Sequence, residues 1–194
     1  MIDIFKIVSL YCFSPISEKK LFNLKNKFEK FEDKGLTGLI ILAEEGINGT
    51  ICGTENIVNI FYREVKNFLR EKDFNEKISF SEKKIFKKLK IKIKAEIVTM
   101  GIDDIRPEKK SGIYVDSEQW NNLLTDDNTI VIDTRNHYEV SLGSFENSIN
   151  PNLKNFREFP DWLDKNLKRI TNDNEDVNIA MFCTGGIRCE KATS

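Results

Sequence analysis

The chain has 194 residues, with 30 Lys+Arg against 31 Asp+Glu, 40% apolar and 31% charged residues, ten Gly and four Pro. This composition fits a globular protein with room for two modest cores, and it excludes disordered and fibrous classes; no apolar run approaches the roughly 20 residues that a bilayer span needs. Charge is uneven: residues 1–100 hold 19 basic and 14 acidic side chains while residues 101–194 hold 11 and 17, balances of +5 and −6 that suggest two units, the first better suited to a polyanion.

The N-terminus, Met1-Ile2-Asp3-Ile4-Phe5-Lys6, lacks the basic stretch and apolar run of a secretory signal. The four cysteines, Cys12, Cys52, Cys183 and Cys189, are too widely spaced for a disulfide scaffold or a four-ligand zinc site. Reduced thiols in a cytoplasmic protein, with no metal and no evident cofactor, are the expectation.

In chain order, Ile4 to Cys12 reads as a strand. Ser17 is placed to cap a helix in which Leu21, Leu24, Phe28 and Phe31 recur at helical spacing, and Gly35 is placed to stop it. Leu36 to Ala43 is a second strand, Glu44 to Asn48 a turn, and Gly49 to Gly53 a third strand. Thr54 caps a helix carrying Ile57, Ile60, Phe61, Val65 and Phe68, and a fourth strand lies near Ile78-Ser79-Phe80. The order β-α-β-β-α-β is that of a ferredoxin-like α+β sandwich.

Residues 83–94 hold seven lysines, and from Leu89 apolar residues and lysines alternate with the period of a half-buried strand. Lys88, Lys90, Lys92 and Lys94 then form an exposed row. They either guard a sheet edge against aggregation or contact a nucleic-acid backbone.

Residues 101–116 lack periodicity and read as a linker between a first domain, 1–100, and a second, 117–194. The second opens with a helix from Ser117 to Leu124, capped by Ser117. Thr129 to Ile132 and Val177 to Phe182 are short and nearly unbroken apolar runs, as expected of strands covered on both faces of an α/β sheet. Between them, Asn155 to Ile170 is helical but interrupted at Pro160.

Asp133 follows the first of these strands and Cys183 the second. A parallel sheet would bring both to its carboxyl edge, where such folds bind ligands. After Cys183, Gly185 and Gly186 let the chain curl so that amides point inward, Ile187 begins a helix, and Arg188 adds a fixed cation. Amides and cation favour thiolate, so the Cys183 pKa should fall well below the roughly 8.5 of a free thiol, giving a nucleophile at neutral pH. Cys12 and Cys52 read as packing residues. Cys189 could resolve an oxidised Cys183, or pack and support the loop, with packing favoured. His137 has no partners at metal-ligand spacing and reads as a solvated side chain.

Four residues separate Cys183 from Arg188. This Cys-x4-Arg loop resembles that of rhodaneses, which cradle a persulfide sulfur, whereas tyrosine-phosphatase loops are one residue wider. Asp133-Thr134-Arg135 with Glu139 resembles the charged rhodanese element that braces the loop; the alternative is surface ion pairing of little worth. Further segments join these: Ala43 to Thr50, Glu96 to Gly101, Tyr138-Glu139-Val140 with Gly143-Ser144-Phe145, Asn155 to Pro160, and Cys183-Thr184-Gly185-Gly186-Ile187-Arg188-Cys189-Glu190-Lys191. Together they resemble the rhodanese-domain tRNA uridine hydroxylases along essentially the whole chain.

The resemblance implies a ferredoxin-like domain followed by an α/β rhodanese-like domain with a parallel sheet. It also implies oxygen-dependent hydroxylation of the wobble uridine of tRNA to 5-hydroxyuridine, molecular oxygen as co-substrate, an essential Cys183, and tRNA contacts by the lysine-rich first domain. Rhodanese-like domains continue through the helix after the loop to another strand and helix, so a partial second domain is the expectation at Ser194. The alternatives from other classes are a sulfurtransferase carrying a persulfide on Cys183 and a non-catalytic RNA- or protein-binding module.

Overall fold

The computed structural model describes residues 4–69 and 74–194; Met1 to Asp3 of the N-terminal reading lie outside them. It forms two compact units, Met1–Val98 and Thr99–Ser194.

In the first unit the elements are β1 (Phe5–Phe13), α1 (Glu18–Glu29), β2 (Thr37–Ala43), β3 (Gly46–Gly53), α2 (Glu55–Phe68), β4 (Asn75–Ser81) and β5 (Leu89–Ile93). The sheet order is β4-β1-β3-β2-β5. Its first four strands pair antiparallel in the ferredoxin-like arrangement that the sequence predicts. The lysine-rich β5 adds a parallel edge beside β2, Lys90 opposite Leu39 and Lys92 opposite Ile41.

Alternation explains the core. Val8, Leu10 and Cys12 of β1, Ile40 and Leu42 of β2, and Leu89 and Ile91 of β5 lie in one buried cluster with Leu21, Leu24 and Phe28 of α1 and Val58, Phe61 and Val65 of α2. Phe61 fixes the centre, its ring centroid 4.8 Å from that of Phe28 and 5.1 Å from that of Phe31.

Several local expectations are corrected. Ser17 and Thr54 occupy the cap positions with extended backbones, but neither side chain accepts a capping bond. Helix α1 ends at Glu29, and tight turns carry the chain on to Gly35, whose φ of 87° makes the final reversal. The turn expected over Glu44 to Asn48 is only Glu44-Glu45, because Ala43 already pairs with Gly46. Gly46 has φ 149°, and a Cβ there would lie 2.0 Å from the Cys12 carbonyl oxygen, so glycine is obligatory.

The second unit contains α3 (Ser117–Thr125), β6 (Thr129–Asp133), α4 (His137–Val140), a 3-10 turn (Phe156–Glu158), α5 (Phe159–Thr171), β7 (Asn178–Phe182) and α6 (Ile187–Ala192). Residues 99–116 belong to this unit and contain neither helix nor strand. Asp116, not Ser117, caps α3: its carboxylate accepts from the Gln119 N–H at 2.8 Å while Gln119 Oε1 accepts from the Asp116 N–H at 2.9 Å. A carboxylate wins because it can hold the first-turn amides with a full charge. Pro160 sits in the first turn of α5 and starts it, where its missing N–H costs nothing, instead of interrupting it. β6 and β7 pair in parallel, as expected. β7 is not covered on both faces, however: Ile179 is 37% exposed and Asn178 is exposed.

Candidate active site

The register of β6 and β7 sets Asp133 opposite Phe182, so the two chains leave the sheet together at its carboxyl edge. Thr134 locks the exits: its N–H and its hydroxyl both donate to the Phe182 carbonyl, at 3.1 and 3.0 Å. Cys183 therefore emerges at a fixed place, and the loop Thr184-Gly185-Gly186 returns around it. Gly186, at φ 90°, turns its N–H onto Cys183 Sγ at 3.0 Å and precedes α6.

The Cys183 thiol is lowered to about 5. The largest cause is the Cys189 thiol, which donates to it; burial opposes, and the N–H groups of Cys189 and Gly185 and the charge of Arg188 assist. Cys189 is raised in turn, first because its proton is held by the Cys183 thiolate and then by burial. Thr134 Oγ1 lies 3.5 Å from Cys189 Sγ. The predicted thiolate thus has a different chief origin from the one the sequence suggests.

Arg188 explains the change. Its Nη1 and Nη2 each donate to a carboxylate oxygen of Glu139 at 2.7 Å, so much of its charge is answered there. Thr184 Oγ1 donates to Glu139 Oε1 at 2.6 Å, which ties the loop to α4. These donors, the Arg188 pair first, hold the Glu139 carboxyl down at about 2 against its burial.

Asp133 is fully buried, and Arg135 embraces it with Nε at 2.9 Å and Nη2 at 2.7 Å while Ser144 Oγ donates at 2.8 Å. Burial pushes its carboxyl up, but Arg135 and Ser144 outweigh that and hold it below its ordinary value. Arg135 Nη2 also reaches the Gly143 carbonyl at 2.7 Å, and its guanidinium lies 5.3 Å over the Phe182 ring. A cleft of about 340 Å³ opens here, lined by Arg135, Gly143, Ser144, Phe145, Phe182, Cys183 and Thr184. A larger one of about 550 Å³ lies against Trp120, Leu123, Ile179, Met181, Cys183 and Cys189.

The structure therefore brings together Cys183, Thr184, Gly185, Gly186, Ile187, Arg188, Glu139 and Cys189 in one network, with Asp133 and Arg135 in an adjoining one. Thr134 and Ser144 stand in the sequence only as members of motifs, and the structure gives each a bond of its own, to the Phe182 carbonyl and to Asp133. Lys191, which the sequence names only as the end of the last motif, is buried at 2% exposure. His137 begins α4 and is exposed. Cys12 and Cys52 are buried in strands of the first unit. Lys88, Lys90, Lys92 and Lys94 belong to that unit too and are all exposed. Among the described residues, no group of three or more His, Cys, Asp or Glu could hold a metal ion, and no helix is long and apolar enough to cross a membrane.

The fold and this loop define a two-domain protein: residues 5–97 match the UPF0176 acylphosphatase like domain and residues 116–194 match the Rhodanese-like domain. Each of the two units thus resembles a known domain, and neither match by itself spans half of the chain. It is 57% identical over 192 residues to a protein of Prochlorococcus marinus (strain MIT 9215) named tRNA uridine(34) hydroxylase, covering 98% of this chain and 62% of that one. A protein of the same name from Prochlorococcus marinus subsp. pastoris (strain CCMP1986 / NIES-2087 / MED4) is 56% identical over 193 residues, 99% of this chain and 62% of that one. The chain thus spans less than two thirds of the length of these relatives. Among solved structures, one titled BlrP1 BLUF covers 48% of this chain and 65% of its own, at 16% identity and a TM-score of 0.39.

Proposed function

We propose that the protein modifies tRNA, hydroxylating the 5-carbon of the wobble uridine with molecular oxygen as co-substrate and Cys183 as the essential residue. The observation that carries this reading is a cradled thiolate at Cys183 in a chain 57% identical to a tRNA uridine(34) hydroxylase. The cleft of about 340 Å³ beside Cys183 has room for one extruded base, bounded by the Phe145 and Phe182 rings. The exposed lysines of β5 supply the sequence-independent backbone affinity that an RNA substrate calls for. The network around Arg188 and Glu139 keeps the loop in shape so that the thiolate stays aimed at the cleft.

The test is nucleoside analysis of tRNA from cells whose only copy of the protein carries Cys183→Ala. The expected result is loss of its share of 5-hydroxyuridine by about a thousandfold or more, the scale of removing an essential nucleophile; unchanged 5-hydroxyuridine would sink the reading. The rhodanese match favours one other reading, sulfur transfer through a Cys183 persulfide. Incubation with thiosulfate followed by mass spectrometry separates them, because sulfur transfer leaves an extra sulfur atom on the peptide containing Cys183.

A further inference from the structure

Cys183 and Cys189 face the same cleft from the two arms of one loop: the Gly186 N–H holds Cys183 Sγ at 3.0 Å, Thr134 Oγ1 lies 3.5 Å from Cys189 Sγ, and the thiol and backbone N–H of Cys189 turn toward the Cys183 sulfur. Both cysteines are free and neither is fully buried, unlike Cys12 and Cys52. Both line the larger cleft, and Cys183 lines the smaller one as well. The pair joins a thiolate to a thiol that keeps its proton, with Thr134 Oγ1 against the second sulfur. A cradle serving only a persulfide has no need of a second sulfur there, and packing alone does not place a proton donor on the nucleophile.

We infer that Cys183 and Cys189 form a dithiol–disulfide couple that supplies the two electrons of the hydroxylation. This rests on the hydroxylase reading above and goes beyond it by assigning the reductant. Dioxygen takes up four electrons; oxidation of the uridine C5–H bond to C5–OH supplies two, and two more must come from elsewhere. In the first step one oxygen atom enters the base and the other is taken by sulfur: C5–H, O2, the Cys183 thiolate and one proton give C5–OH and Cys183–SOH. In the second, the Cys189 sulfur attacks the sulfenic acid, the S–O bond breaks, and an S–S bond forms as water leaves with the Cys189 proton. Each step balances in atoms and charge. A small thiol or a dithiol protein then restores the pair by thiol–disulfide exchange. The second step is fast because its partner already touches Cys183, so the sulfenic acid is captured before further oxidation.

The experiment is a single turnover of the reduced protein in air-saturated buffer, freed of external thiols, with tRNA lacking 5-hydroxyuridine. Trypsin cleaves after Arg188 and separates the two cysteines, so a Cys183–Cys189 disulfide appears as a linked peptide pair short of two hydrogens. The expected result is one 5-hydroxyuridine and one linked pair per protein molecule, with no linked pair when tRNA is omitted. In Cys189→Ser, dimedone labels Cys183 after the same turnover, a signature that a merely structural role for Cys189 does not produce. Product without the linked pair, or the pair formed equally without tRNA, overturns this inference and leaves the hydroxylase reading standing. No 5-hydroxyuridine from the wild-type protein overturns the hydroxylase reading and this inference with it. Should Cys189→Ser fail to fold, the wild-type stoichiometry decides alone.

Discussion

The two units bury different things. In the first, the cluster between the sheet and its two helices is almost wholly apolar, and its charge lies outside, on strands such as β5. In the second, Asp133, Thr134 and Lys191 are buried together with a smaller apolar set that includes Ile132, Phe156 and Phe159. A buried carboxylate is tolerated only when its oxygens are met by donors, and Asp133 has Arg135 and Ser144. The difference teaches that the first unit is held mainly by packing, while the edge of the second that carries Cys183 is held by a polar network that also sets the thiol's acidity.

Three perturbations sharpen that contrast. The largest effect is expected from Gly46→Ala in the first unit. Its Cβ would meet the Cys12 carbonyl at 2.0 Å at a backbone angle unsuited to alanine. Urea denaturation should show a loss of at least about 3 kcal/mol, and a loss below about 1 kcal/mol would mean that the β2–β3 hairpin accommodates the change freely.

Next in size is Glu139→Gln. It leaves Arg188 in a mostly enclosed place without its carboxylate, at a cost of about 2 kcal/mol near neutral pH. The sign with pH follows from the direction of the shift. Glu139 is lowered from 4.5 to about 2, so its contribution is fully present above pH 4.5 and is lost as pH falls from there toward 2. The wild-type and variant stability curves should therefore converge on the acid side; a gap that stays constant down to pH 2 would assign the loss to something other than charge.

The smallest effect on stability belongs to the outer face of β5. Lys90→Glu with Lys92→Glu should change folding stability by no more than about 0.5 kcal/mol, because both side chains are exposed. The same double change should lower the salt dependence of tRNA binding by about one unit of log–log slope per lysine. An unaltered slope would assign these lysines to edge protection alone.

Much of this could be read in the chain because the deciding interactions are periodic or local. The spacing of Leu21, Leu24 and Phe28 fixes a helix face, and short apolar runs leading to Asp133 and Cys183 announce strand ends on one edge. Loop chemistry was legible too, since Gly185 and Gly186 have few other uses beside a cysteine. What escaped depends on partners distant in sequence or on competition between neighbours. Nothing local to Arg188 shows that Glu139, 49 positions earlier, accepts from both of its terminal nitrogens. The sequence points to Ser117 as the cap, and only the reciprocal bond with Gln119 selects Asp116 one residue earlier. The pairing of β5 with β2 spans 51 positions between Gly38 and Leu89, and no pattern within either strand encodes it.

The bidentate pair between Arg188 and Glu139 has a bearing on which anions the loop can take. A loop of inward amides is also a ready site for inorganic phosphate. Here the guanidinium that would anchor a dianion already holds a fixed carboxylate through two of its donors, and that carboxylate also holds Thr184. A doubly charged guest would be repelled by Glu139 about twice as strongly as a single sulfur anion in the same place, and an uncharged ring not at all. The pair thus weights the loop against dianions in favour of singly charged or neutral guests.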